Sequence, residues 1–213
     1  MRQNKEYTHV GLGYSHQMMF DRVEPGSRVL EVGCATGYMT QAMKEDLGCE
    51  VTVVEINPEL IRQAQPYAKL AVVGDIEDSA VWNELGSGYD AVVFGDVLEH
   101  LKDPWDILRR SHDLLNNDGK ILASIPNVAY YEVRFNLLLG RFEYTSLGIL
   151  DNTHLRFFTA SSVMRLFEDT GYRIAKFDRV YKRARHRILS KFVPNLVTFQ
   201  FVIEAVADDS QTI

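Results

Sequence analysis

A chain of 213 residues, 46% of them apolar and 24% charged, is long enough to bury the core of one α/β domain and has the composition of a soluble globular protein. A net charge of -6 disfavours nucleic-acid binding as a whole-surface property, and two cysteines exclude a disulfide framework or a thiolate-rich metal centre. No apolar run approaches the ~20 residues that span a bilayer, and the polar start of the chain lacks a signal-peptide core, so the expected location is the cytoplasm.

Residues 1–24 read as a helix or lid, with Tyr7, His9, Gly11, Gly13, Tyr14 and His16 set among polar residues as a solvated flap. Pro25-Gly26 is a turn signal that opens the main domain, expected over 25–206. Val29 to Val32 then reads as a strand, Gly33 to Gly37 as a small-residue turn, and Met39 to Asp46 as a helix closed by Gly48. A strand that feeds such a turn and a helix leaves backbone N–H groups unpaired, and a ligand can approach them closely. Gly33 and Gly37, with Ala35 between, do not make the G-x-G-x-x-G spacing that holds a pyrophosphate. Glu31 would repel a pyrophosphate too, so the expected ligand carries an ammonium or sulfonium. Cys34 reads as a small residue near that ligand and not as a nucleophile.

Val51 to Val54 is a β-branched run that reads as a buried parallel strand. It ends in Glu55-Ile56, where a carboxylate about 20 residues past the turn can accept from both hydroxyls of a ribose. A helix from Pro58 leads to a third run, Leu70 to Val73, followed by Gly74-Asp75-Ile76-Glu77; Asp75 can serve a ligand or cap the next helix. Ala91 to Phe94 is the fourth strand and continues into Gly95-Asp96-Val97-Leu98-Glu99-His100. A helix over Trp105 to Leu115, a turn at Asn117-Asp118-Gly119 and a fifth strand over Lys120 to Ile125 follow. This alternation predicts a parallel sheet with helices on both faces and ligands at the strands' C-terminal ends, where Glu31, Glu55, Asp75 and Asp96 fall.

Residues 128–158 break the rhythm and read as an inserted cap that sets substrate specificity, or as a dimerisation helix. Thr159 is an expected N-cap for a helix over Ala160 to Asp169, which Gly171 closes. Arg173 to Val180 and Thr198 to Ala205 read as a closing antiparallel pair, and 207–213 as a tail. Between Arg173 and Lys191 eight cations stand against Asp178 alone. That stretch reads as a solvated loop and is compatible with a phosphorylated acceptor.

Glu31-Val32-Gly33-Cys34-Ala35-Thr36-Gly37 resembles the first motif of the class I S-adenosylmethionine-dependent methyltransferases, with Ala35 where the family places a middle glycine. Asp96 to Pro104 is similar to the post-strand motif of their ubiquinone-biosynthesis-like (type 11/23) branch, in which Leu-Glu-His sits beside the transferred methyl. The resemblance implies a Rossmann-like, doubly wound, mainly parallel seven-stranded sheet with a cap inserted after strand five. It implies S-adenosylmethionine as cofactor and S-adenosylhomocysteine as product, held by Glu31, Gly33, Cys34, Ala35, Gly37, Glu55, Ile56, Asp75, Ile76 and Asp96, with Asp75 and Ile76 at the adenine.

For a hydroxyl acceptor, His100 and His154 are the candidate general bases, with Glu99 as partner; taken singly, each histidine reads as structural. Asp96-x-x-Glu99-His100 with a distant His154 also resembles the magnesium-holding set of small-RNA terminal 2′-O-methyltransferases. Asn136 to Tyr144 and Thr153 to Thr159 resemble parts of methyltransferases that accompany polysaccharide assembly. The expected acceptor is therefore an oxygen of a small molecule such as a saccharide or nucleotide-linked sugar. RNA methylation and a non-catalytic, cofactor-binding regulatory partner are the alternatives, and a homodimer is compatible with all three.

Overall fold

The computed structural model describes residues 12–208. Seven strands, β1 (Arg28–Val32), β2 (Glu50–Glu55), β3 (Leu70–Val73), β4 (Tyr89–Gly95), β5 (Leu115–Pro126), β6 (Tyr172–Val180) and β7 (Gln200–Ala207), form one sheet in the order β3-β2-β1-β4-β5-β7-β6. β7 pairs antiparallel with both β5 and β6, and the remaining pairs are parallel. The order reverses between β1 and β4, which opens a crevice at their C-terminal ends. Helices α1 (Tyr14–Phe20), α2 (Tyr38–Leu47), α3 (Pro58–Ala64), α4 (Ser79–Leu85), α5 (Pro104–Ser111), α6 (Tyr131–Leu138), α7 (Ala160–Glu168), α8 (Ala184–Leu189) and α9 (Pro194–Val197) connect the strands. Among the described residues no helix is long and apolar enough to cross a membrane.

The continuous apolar character of β1, β2 and β4 follows from burial on both faces of the sheet. Val29 packs with Met39, Met43 and Val202 on one face, whereas Leu30, its neighbour, packs with Phe94, Ile107 and Phe167 on the other. Successive side chains point to opposite sides of a strand, so two cores share one sheet. Local signals start the helices. Asn57, Asp78 and Asp103 each accept from a backbone N–H in the first turn of α3, α4 and α5, at 2.8 Å, 2.9 Å and 3.0 Å. Thr159 and Ser162 form the capping box of α7.

Four local expectations differ from the structure. Asn117-Asp118-Gly119 is not a turn between elements but a bulge inside β5, where the register jumps from Tyr89↔Leu115 to Ala91↔Lys120. A Cβ on Gly119 would stand 2.8 Å from the Tyr89 carbonyl oxygen, so the close strand approach requires glycine. The basic stretch contains α8 rather than a plain loop, and α9 follows it. β7 runs through Ala207, one residue into the expected tail; the remainder of that tail, 209–213, lies outside the described residues, as do Tyr7, His9 and Gly11. Finally, α1 is not a solvated flap: Met19 and Phe20 are buried in the core beside α2.

The insertion follows β5. Its first part carries α6, from which Val133 packs with Tyr130 and Ile149 in a third, small cluster backed by Phe199. Its last part folds back on the turn after β4, where the Leu155 and Arg156 N–H groups both donate to the Glu99 carbonyl at 2.9 Å.

Candidate functional site

A cavity of about 410 Å³ opens at the C-terminal ends of β1 to β4, lined by Gly33, Glu55, Ile56, Asp75, Ile76, Asp96 and His100, with Leu155 from the insertion. The glycine turn approaches it because Gly37, the N-cap of α2, has a φ of 79°, and a Cβ there would lie 2.5 Å from the Ala64 Cα of α3. The opposing helix therefore excludes any side chain at this position. Ala35 takes the left-handed φ of 48°, a conformation that costs a residue with a side chain roughly 1–2 kcal/mol. Glu55 offsets that cost. It is buried, and its Oε2 accepts from the Ala35 N–H at 3.0 Å while Oε1 accepts from the Asn57 N–H at 2.9 Å. Each carboxylate oxygen keeps a second lone pair for a ligand in the cavity.

Asp75 does not cap α4, a role taken by Asp78; its Oδ1 accepts from the Glu77 N–H at 2.9 Å and holds the loop after β3. Trp82 Nε1 donates to the Ile76 carbonyl at 2.6 Å, and Glu77 accepts from the Asp103 N–H at 2.9 Å, fixing that loop from both sides. Glu31 is buried away from the cavity lining, where it accepts from Thr40 Oγ1 at 2.6 Å. Burial pushes its carboxyl up to about 7, with the Thr40 hydrogen bond opposing. Cys34 is buried as well, and its thiol is pushed up to about 12, first by burial and then by the Glu31 and Glu55 charges, which leaves it unreactive.

Asp96 is held in a second left-handed conformation, φ 56°. Ser124 Oγ accepts from its N–H at 3.0 Å and donates to its Oδ1 at 2.7 Å, and Gln200 Nε2 donates to the same oxygen. β5 and β7 thus aim a strained carboxylate at the crevice. Its other oxygen faces His16 Nε2 at 3.9 Å. The His16 ring meets Tyr38 edge-on with centroids 5.4 Å apart and lies 3.2 Å from its hydroxyl. Burial lowers the His16 pKa and the Asp96 charge raises it, with burial the larger.

Beyond Asp96, a short turn at Leu98–His100 presents Glu99 and His100 to His154 of the insertion, and the ligand atoms of the three all lie within 4.8 Å of one another. His100 lines the cavity, and the other two stand behind it. His154 Nδ1 is 3.0 Å from the Ile149 carbonyl oxygen, which can only accept, so Nδ1 carries the proton and Nε2 the lone pair. His100 Nδ1 is 3.2 Å from the Thr153 carbonyl and 3.1 Å from Thr153 Oγ1. The Thr153 hydroxyl proton goes to Asp151 at 2.6 Å, so His100 Nδ1 is the donor here too. The His154 lone pair therefore faces Glu99 Oε1 at 4.0 Å, and Glu99 is 1% exposed with an Oε2 that has no hydrogen-bond partner. Burial, then the Asp96 charge, raises the Glu99 pKa well above the usual carboxylate range. Burial lowers the His154 pKa, with the hydrogen bond to Ile149 opposing. The cluster holds acceptors in excess of donors, so a proton or a cation is what it lacks.

Among the residues singled out from the sequence, Gly33, Glu55, Ile56, Asp75, Ile76, Asp96 and His100 line one cavity, and Glu99 and His154 adjoin it. Glu31, Cys34, Ala35 and Gly37 support the turn from behind without lining it. Ser124, Gln200, Tyr38 and the packed position of His16 escaped the sequence reading. The first two lie on strands whose alternation marks only burial. His16 carried a signal in its residue type, but nothing local ties α1 to Asp96.

A family profile described as a methyltransferase domain matches residues 11–176. The ubiquinone biosynthesis O-methyltransferase of Xanthomonas axonopodis pv. citri (strain 306) is 36% identical over 140 residues, which cover 62% of this chain and 56% of that protein. Its counterpart in Xanthomonas campestris pv. campestris (strain B100) is 36% identical over 136 residues, 61% of this chain and 55% of its own. The chain thus spans about half the length of these curated relatives. In fold, it is similar to a SAM-dependent methyltransferase from Archaeoglobus fulgidus, with a TM-score of 0.63 at 18% identity over 89% of this chain and 93% of that one. A TehB-like SAM-dependent methyltransferase from Corynebacterium glutamicum gives a TM-score of 0.60 at 16% identity over 93% and 90%.

Proposed function

The chain belongs to the family of S-adenosylmethionine-dependent methyltransferases, and on that premise we propose that it methylates a hydroxyl oxygen of a small molecule. The observation that carries the reading is the cluster of Glu99, His100 and His154 beside the cavity. A hydroxyl attacking a sulfonium methyl must lose its proton as the new C–O bond forms, and a neutral imidazole with a free Nε2 is suited to take it. The names of the related ubiquinone biosynthesis O-methyltransferases support oxygen as the methylated atom. The acceptor class we favour is a saccharide or nucleotide-linked sugar, on the likeness of 136–144 and 153–159 to methyltransferases of polysaccharide assembly; a phenolic acceptor is the competing class.

When bound, S-adenosylmethionine supplies the methyl group on a cationic sulfur leaving group. Glu55 accepts from the ribose hydroxyls, and Asp75 with Ile76 receives the adenine. Asp96, fixed by Ser124 and Gln200, faces the cationic amino-acid end. His100 takes the acceptor proton at Nε2, and Thr153 holds its ring in the tautomer this requires. Val97, Ile76 and Leu155 leave the walls around His100 largely apolar, which limits competing water.

A second reading rests on the same cluster. Two imidazole nitrogens and a carboxylate also fit a divalent cation, and their Nδ1 hydrogen bonds are the outer-shell contacts that orient metal-bound histidines. This donor set suits a borderline ion such as zinc better than magnesium, which prefers oxygen. An ion held there would lower the pKa of a bound acceptor hydroxyl.

A titration with S-adenosylhomocysteine, followed by radiolabelled methyl transfer to saccharides, nucleotide sugars, quinol precursors and RNA, tests the proposal. Transfer to oxygen of a small acceptor that falls on His100→Ala or His154→Ala supports it, and sensitivity to chelator selects the cation reading. Preferred transfer to RNA, or cofactor binding without transfer to any acceptor, overturns it.

A further inference from the structure

A groove beside α6 shares no lining residue with the cavity. α6 buries Val133 and leaves Leu138 82% exposed, and the chain around α8 leaves Ile188 68% and Phe192 81% exposed. The two stretches adjoin. The His186 ring of α8 lies 5.5 Å from that of Tyr131, and Leu196 of α9 lines the groove together with Tyr131, Phe135 and Leu138.

Charge separates this face from the rest of the molecule. In a chain of net charge -6, the segment from Arg179 to Phe199 carries six cations and no acid. Lys182, Arg183, Arg187 and Lys191 are exposed, and Lys182 stands 4.1 Å from the Phe199 ring centroid. Glu132 is the acid that lines the same groove. Large aliphatic side chains projecting from a basic surface suit the boundary of an anionic bilayer, where the apolar tips enter the acyl region and the cations stay at phosphate level. A second copy of the chain fits less well, because an isologous contact sets the cationic patch against itself. Single-stranded RNA is gripped by exposed aromatic faces, whereas the side chains that project here are mainly aliphatic.

We propose that the α6–α8–α9 face is a peripheral docking surface for an anionic lipid bilayer, with Leu138, Ile188 and Phe192 entering the headgroup boundary and Arg187 and Lys191 pairing with lipid phosphates. Ile149 joins this face to the site, since it packs with Tyr130 and Val133 and accepts the His154 hydrogen bond.

The test is cosedimentation of the full chain with phosphatidylcholine vesicles, with and without about a third phosphatidylglycerol, at low and high salt. The expected result is binding to the anionic vesicles only, weakened by salt. Arg187→Glu with Lys191→Glu should lower the partition coefficient by tenfold or more, at roughly fivefold per cation removed. Leu138→Asp with Phe192→Asp should lower it several-fold, with S-adenosylhomocysteine affinity and the circular dichroism spectrum unchanged as proof of folding. Equal binding to both vesicle types, or none, overturns the proposal. So does a dimer in sedimentation velocity that Leu138→Asp with Phe192→Asp dissolves, or RNA that displaces the protein from vesicles at equal salt. No arm depends on methyl transfer, so the result stands apart from the proposed reaction.

Discussion

His100 and His154 meet edge to face with ring centroids 4.7 Å apart, and each ring gives its Nδ1 proton to a backbone carbonyl of the insertion. The sequence separates them by α5, β5 and α6; the fold brings the two rings together beside a buried carboxyl. If that pair removes the acceptor proton, His100→Ala should lower kcat by about 10²–10⁴-fold while leaving the dissociation constant for S-adenosylhomocysteine nearly unchanged. Steady-state kinetics beside calorimetry separates the two quantities.

The direction of the pH profile follows from burial. His154 is held below its ordinary value, chiefly by desolvation, so it stays neutral at a pH where an exposed histidine is protonated. Activity limited by its neutral form should fall on acidification only below about 6.5, the unperturbed histidine value. An acid limb of kcat/KM well above that range would remove His154 as the controlling group.

If Glu55 holds the ribose as proposed, it serves ligand and fold together. Glu55→Ala removes the acceptor of two backbone N–H groups and the expected ribose contact. Cofactor affinity should fall by ten- to a hundredfold, at about 1.5–3 kcal/mol for hydrogen bonds to a charged group. Glu55→Gln keeps one carbonyl oxygen and should retain part of the affinity, as titration of both variants would show.

Gly95 and His16 should act as one unit. A Cβ at Gly95 would stand 2.9 Å from His16 Nε2, so Gly95→Ala must push the imidazole off Tyr38 and Asp96. Gly95→Ala and His16→Ala should each weaken cofactor binding, and the double variant should be little worse than either alone. Additive losses would mean that Gly95→Ala does not act through His16.

Glu31 should make stability depend on pH. Its folded value of about 7 exceeds the reference of 4.5, so between these the native state keeps a proton that the unfolded chain releases. Stability should therefore decline as pH rises through that window and level off above it, by about 3 kcal/mol at most. Glu31→Gln removes this term and can still accept from Thr40. Its advantage over the parent in urea unfolding should grow from low pH to neutrality; a constant difference would place an ionised carboxylate at Glu31.

The sequence by itself determined the strand-turn-helix units, because each is written in local residues: β-branched runs for buried strands, Thr159 for a helix start, Gly48 for a left-handed helix end. It also placed Glu55, Asp75 and Asp96 at strand ends, since alternation fixes where a parallel strand stops. What it left open depended on contacts distant along the chain. Only the tertiary structure turned Glu31 inward to Thr40, packed α1 so that His16 faces Asp96, and closed β5 and β7 around that carboxylate through Ser124 and Gln200. Side-chain direction at a strand end and ring tautomer at a histidine are set by neighbours that sequence spacing does not encode. A local pattern can therefore name the groups of this site, but long-range packing decides which of them share a proton.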